Sequence, residues 1–218
     1  MEGSIHNEVN IPVGKIILKG ELYIPQKATS IIIFSHGSGS SRFSRRNQMV
    51  AQYLQSRNFG TLLFDLLTGE EDQYYYNRFD ITLLTTRLAG VTEWLEKSPV
   101  ANNCRIGFFG ASTGAASALR AAALLPNTGA VVSRGGRPDL ALEDLPLVKA
   151  PTLLIVGSLD YEVIRLNEEA YQQMTCEKKL TLVEGATHLF EEPSTMEIVS
   201  SLAGNWFEKY LQPVAALK

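Results

Sequence analysis

The chain has 218 residues, 45% hydrophobic and 20% charged, with a formal net charge of −3. That length favours one domain around a single sizeable core, and the composition excludes a disordered or fibrous chain. The small negative charge gives no electrostatic basis for holding nucleic acid or an anionic membrane, and no apolar run reaches the length of a membrane span.

The first residues, Met1-Glu2-Gly3-Ser4-Ile5-His6, lack the basic and long apolar segments of a secretory signal. Cys104 and Cys176 show neither metal-ligand spacing nor a disulfide framework, and read as reduced thiols of a cytoplasmic protein. Neither a metal nor a cofactor is expected. Residues 5–9 and 15–24 are rich in β-branched side chains on either side of Pro12-Val13-Gly14, which predicts an antiparallel meander. Residues 30–35 form a continuous apolar run, as in a strand covered on both faces, and feed into His36-Gly37-Ser38-Gly39. A helix is predicted over 43–57, with Phe43, Met49, Val50, Tyr53 and Leu54 facing inward. The next strand is 61–64, with Asp65 at its end. A tyrosine-rich loop follows over 69–78, then an amphipathic helix over 80–97.

The strand beginning at Arg105 runs into Gly110-Ala111-Ser112-Thr113-Gly114 and an alanine-rich helix reaching about residue 125. This is the spacing and context of the G-x-S-x-G nucleophile elbow, where small neighbours let strand and helix approach while the serine is lifted clear. The blander possibility is a glycine-rich turn in which Ser112 caps the helix. Downstream come a strand at 129–133 leading to Arg134, a short helix at 139–145, and a strand at 152–156. A helix at 161–174, a strand at 179–183 and a last helix at 193–210 complete the pattern. Strands alternating with helices predict a three-layer α/β/α fold for a single domain, residues 1–218. Its sheet is mostly parallel with antiparallel N-terminal strands, and the stretch before the 152–156 strand is too short for a cap domain.

Ligands of such sheets bind at the carboxyl ends of the strands, which selects His36-Gly37-Ser38, Asp65, Ser112, Arg134, Asp160 and His188. A serine hydroxyl needs a neighbouring base. Of the three histidines, His6 precedes the core strands and His36 belongs to the glycine-rich loop, leaving His188. Asp160 follows a buried strand and lies between serine and histidine, the chain order of the elbow fold. Asp139 and Glu162 compete with it. Acyl transfer also needs two N–H groups for the oxyanion, assigned to Thr113 and Ser38. A phosphate-binding loop is the rival reading of the glycine-rich segment, but Gly-Lys-Ser/Thr and the G-x-G-x-x-G spacing are absent. Arg42, Arg45, Arg46, Arg134 and Arg137 crowd the rim. Arg45 and Arg46 read as solvated helix charges, whereas Arg134, released beside the nucleophile's strand, is assigned with His36 to substrate binding.

The stretches F-S-H-G-S-G-S-S, L-L-F-D-L-L-T, G-F-F-G-A-S-T-G-A-A, S-R-G-G-R-P-D-L, P-T-L-L-I-V-G-S-L-D and G-A-T-H-L-F-E-E-P resemble the α/β-hydrolase superfamily. Within it they are similar to the small, lidless dienelactone-hydrolase-like branch, from about residue 30 to 211. The resemblance implies Ser112 as nucleophile, Asp160 as acid and His188 as base. Dienelactone hydrolase itself uses cysteine where this chain has Ser112, which separates the chain from the dienelactone substrate. The expectation is therefore a serine hydrolase of a small, water-soluble ester or related acyl bond, with Arg134 selecting a carboxylated substrate. A noncatalytic binding or scaffold protein is the alternative. Its partner is a small-molecule ester, not nucleic acid or membrane, and homo-oligomer formation is left open.

Overall fold

The apolar runs become the middle of one sheet. A computed structural model describes residues 4–101 and 103–211; the ends of the expected domain, 1–3 and 212–218, lie outside the described residues. The strands are β1 (Ile5–Val13), β2 (Ile16–Ile24), β3 (Ser30–Ser35), β4 (Gly60–Phe64), β5 (Arg105–Ala111), β6 (Ala130–Arg134), β7 (Thr152–Gly157) and β8 (Lys178–Val183). They lie in the order β1-β2-β4-β3-β5-β6-β7-β8. β2 is antiparallel to both of its neighbours, β1 and β4, and the remaining pairs are parallel. Pro12, expected in a turn, lies inside β1. That strand pairs on one side only, so the missing N–H costs no ladder bond.

The helices are α1 (Arg45–Ser56), α2 (Ile81–Glu96), α3 (Thr113–Leu124), α4 (Tyr161–Gln173) and α5 (Thr195–Leu211). Side chains alternate across each strand, so β3 sends Ile31 and Ile33 to one core and Ile32 and Phe34 to the other. Phe108 and Phe109 of β5 divide in the same way. The first core receives Leu84, Leu88, Val91 and Leu95 from α2, together with the alanines of α3. The second receives Val50 and Leu54 from α1 and Val199, Trp206 and Phe207 from α5. Burying each of these larger side chains contributes about 1.5–3 kcal/mol before conformational entropy is counted.

Two expectations fail here. Phe43 and Met49 are exposed because Ser44 caps α1 and the inward set becomes Asn47, Val50, Ala51 and Leu54. The 139–145 helix is instead a pair of 3-10 turns, Pro138–Ala141 and Leu145–Leu147, each with a proline in its first turn. Nothing larger separates β6 from β7, and no separate cap domain is present among the described residues. Among the same residues, no helix is long and apolar enough to cross a membrane.

Candidate active site

The chain winds from β3 outward to β4 and then back across to β5, so the loops after β3 and β5 part at the crevice where open α/β sheets take ligands. Ser112 stands at the head of α3 with φ 52° and ψ −122°, a backbone region that disfavours side chains. Its amide donates to the Arg134 carbonyl (3.2 Å), and its own carbonyl accepts from the Ala115 and Arg137 amides (3.0 and 3.1 Å). Those three bonds hold the turn. Glycine is required at Gly114, where a Cβ would lie 2.1 Å from the Ser35 carbonyl oxygen. The Ser112 side chain makes no capping bond, so the capping alternative falls away.

The ends of β7 and β8 are laced together. Ser158 and Leu159 amides donate to Val183 and Ala186 carbonyls (2.9 and 3.0 Å), and Ser158 Oγ accepts from the Gly185 amide (2.8 Å). This register sets Asp160 Oδ2 2.6 Å from His188 Nδ1. Asp139, the competing acid, is taken by Arg137 through two bonds of 2.8 and 2.7 Å. Ser112 and His188 share one cleft of about 190 Å³ with Gly37, Ser38, Asn47 and Arg134. No hydrogen bond joins Ser112 to His188.

One assignment needs correction. The His36 ring is buried with both nitrogens on backbone: Nε2 accepts from the Leu66 amide (3.0 Å) and Nδ1–H donates to the Gly37 carbonyl (3.0 Å). It ties the β3 and β4 loops together rather than facing substrate. Burial holds its pKa below the ordinary 6.5, with the Gly37 bond opposing. The Ser38 amide is also engaged, donating to Thr113 Oγ1 (2.9 Å). Thr113 itself supplies the first amide of α3, a position with no acceptor one turn back in the helix.

Arg134 lies at the cleft as expected, because β5 and β6 are neighbours with Ala111 opposite Arg134. Neither carboxylate that might have neutralised it does so: Asp65 pairs with Arg42 and Asp139 with Arg137. Arg134 is 7% exposed, its Nε is buried without a partner, and its guanidinium lies 5.7 Å from the Phe190 ring centroid. Burial, and secondarily Arg46, pull its pKa down from the ordinary arginine range to about 10. Arg46 was read as a solvated helix charge; it instead lines the cleft, donating to the Leu189 carbonyl (3.2 Å). Asn47, which no sequence argument selected, lines it too and is 2% exposed with an unpartnered Oδ1.

Residues 18–212 match the model of the dienelactone hydrolase family. The chain belongs to that family. A dienelactone hydrolase from Anabaena variabilis ATCC 29413, solved by crystallography, is 51% identical, covering 97% of this chain and 100% of its own, with a TM-score of 0.93. Est1E from Butyrivibrio proteoclasticus has the same fold at 16% identity, with a TM-score of 0.78 over 95% of this chain and 98% of its own. A Mycobacterium tuberculosis protein named "Putative phosphoribosyl transferase" is 52% identical over 205 residues, 94% of this chain. The chain spans 46% of that relative's length. Family and neighbours together support a hydrolase of the α/β fold.

Proposed function

We propose that this member of the dienelactone hydrolase family is a serine hydrolase that cleaves a small ester or related acyl bond through an acyl-enzyme. The observation that carries the reading is the 2.6 Å contact of Asp160 with His188 Nδ1, in a histidine that shares a cleft with a serine on a strained turn. Asp160 fixes the tautomer that leaves His188 Nε2 free to accept a proton. Ser112 Oγ attacks the acyl carbon as His188 takes its proton. The tetrahedral oxyanion forms against the Thr113 amide at the N-terminus of α3, where the helix dipole favours negative charge. An oxyanion is a stronger acceptor than a hydroxyl, so it takes over the Ser38 amide from Thr113 Oγ1. The intermediate collapses, and the leaving alcohol departs with the proton from His188. Water then repeats the sequence on the acyl-serine and regenerates the hydroxyl.

A site without a cap domain suits short, water-soluble substrates, and Arg134 suits one bearing negative charge away from the reacting bond. The two cysteines, both free, suit a reducing cytoplasmic setting. The name of the mycobacterial relative describes a chain of which this one spans 46%, and it favours no transferase chemistry at Ser112. A noncatalytic binding protein remains the competing class; a full set of nucleophile, base and acid argues against it, since a scaffold has no need of all three. Intact-protein mass after treatment with a fluorophosphonate probe separates the two. One adduct on the folded protein, absent from Ser112→Ala, is expected; no adduct would leave a binding module.

A further inference from the structure

Helix α1 starts at the cleft. Its cap Ser44 and first-turn residues Arg46 and Asn47 line the same space as Ser112 and Arg134. This turn holds no acidic residue, so the positive end of the helix dipole is uncompensated within the helix. A further observation points to a ligand. Arg134 is buried with no partner for its Nε and no carboxylate within ion-pair reach among the described residues. Arg46 is only weakly neutralised, 3.5 Å from a Glu191 carboxylate that is itself 70% exposed.

We infer that Arg134, Arg46 and the N-terminus of α1 form a subsite for a phosphoryl group carried by the substrate. Two guanidiniums without a close buried counter-ion call for a dianion. Donors reaching one cleft from β6, from the Arg46 side chain and from the helix end suit a tetrahedral group with three free oxygens better than a planar carboxylate with two. A second, wider groove adjoins the cleft across Ser40, Ser44 and Arg46, with about 560 Å³ of space, and has room for the rest of a phosphorylated ester. As a statement of substrate class this rests on the hydrolase reading above. As an anion site it does not.

The test is made on the full chain carrying Ser112→Ala, so that turnover plays no part. Inorganic phosphate is titrated at mildly alkaline pH, where it is dianionic, and binding is followed by calorimetry, with acetate as the carboxylate comparator. Saturable one-to-one phosphate binding, at least tenfold tighter than acetate, is expected. Adding Arg134→Gln or Arg46→Gln should each weaken phosphate about ten- to a hundredfold, the effect of losing one charge-assisted contact, with near-UV circular dichroism unchanged. Arg46, on the rim, carries the same reading should Arg134→Gln fail to fold. No phosphate binding, acetate bound equally well, or phosphate affinity indifferent to Arg46 and Arg134 would each overturn the inference. Phosphate bound as expected by a protein whose Ser112 takes no fluorophosphonate would uphold the anion site while removing the hydrolase.

Discussion

Replacing Arg134 with methionine should make the protein more stable and a poorer enzyme. At neutral pH the guanidinium is charged in both the folded and unfolded chain. A folded value pulled from the ordinary arginine range to about 10 therefore represents strain that is fully present below about pH 10 and relieved only above it. At about 1.4 kcal/mol per tenfold, that fall corresponds to about 3 kcal/mol. Methionine fills similar apolar volume without a charge but gives up the guanidinium's contact with the Phe190 ring, which contributes about 1–2 kcal/mol when desolvated. The net gain is about 1–2 kcal/mol, within the range found when buried ions give way to well-packed apolar side chains. In a domain of this size it should raise the melting temperature by about 2–8 °C. The measurement is thermal unfolding followed by circular dichroism, checked by urea titration. It must be made in phosphate-free buffer, because an anion that binds the native wild type would stabilise it by mass action. Turnover of an anionic ester should fall in the same variant. A melting temperature equal to or below the wild type would refute the reasoning, since the guanidinium would then have a structural partner.

Asp160→Asn should keep the fold but lower kcat by about 10³–10⁴ through a mis-set His188 tautomer, and slow fluorophosphonate labelling in parallel; activity within tenfold of wild type would remove Asp160 from the mechanism. His36 accepts the Leu66 amide only while neutral, and its folded pKa lies below the unfolded 6.5. Its contribution to stability is thus full above about pH 6.5 and lost as pH falls toward the folded value. The melting temperature should drop across that interval, and the slope should flatten in His36→Asn. A slope that survives in the variant would place the acid sensitivity elsewhere.

The strand ends were legible because fully buried strands are continuous apolar runs and the residue after each run is marked by a change to glycine or a polar group. That is why residue order alone selects Ser112, Asp160, His188 and Arg134 as candidates. What stayed hidden depended on phase or on partners far along the chain. Asn47 occupies the inward position of α1 between Ser44 and Val50, yet a polar residue there cannot be told from a solvated one until the cap fixes where the helix begins. Arg46 was missed for the same reason. The role of His36 is decided by an amide 30 residues away, and that of the Ser38 amide by a hydroxyl 75 residues away. No local pattern encodes either.

The three backbone bonds at Ser112 have a bearing on how such a protein can diverge. Two of them run to Arg134 and Arg137, so the turn that presents the Ser112 hydroxyl and the turn that presents the Arg134 guanidinium share one set of fasteners. Pleiotropy is built into the backbone. A substitution or insertion that re-aims the loop after β6 to suit a new substrate also tilts the carbonyl and amide that hold φ of Ser112 positive. Change of taste and change of speed are therefore coupled in this lineage, and new specificities should be reached more readily from the α1 side of the cleft, whose residues share no backbone bond with the elbow.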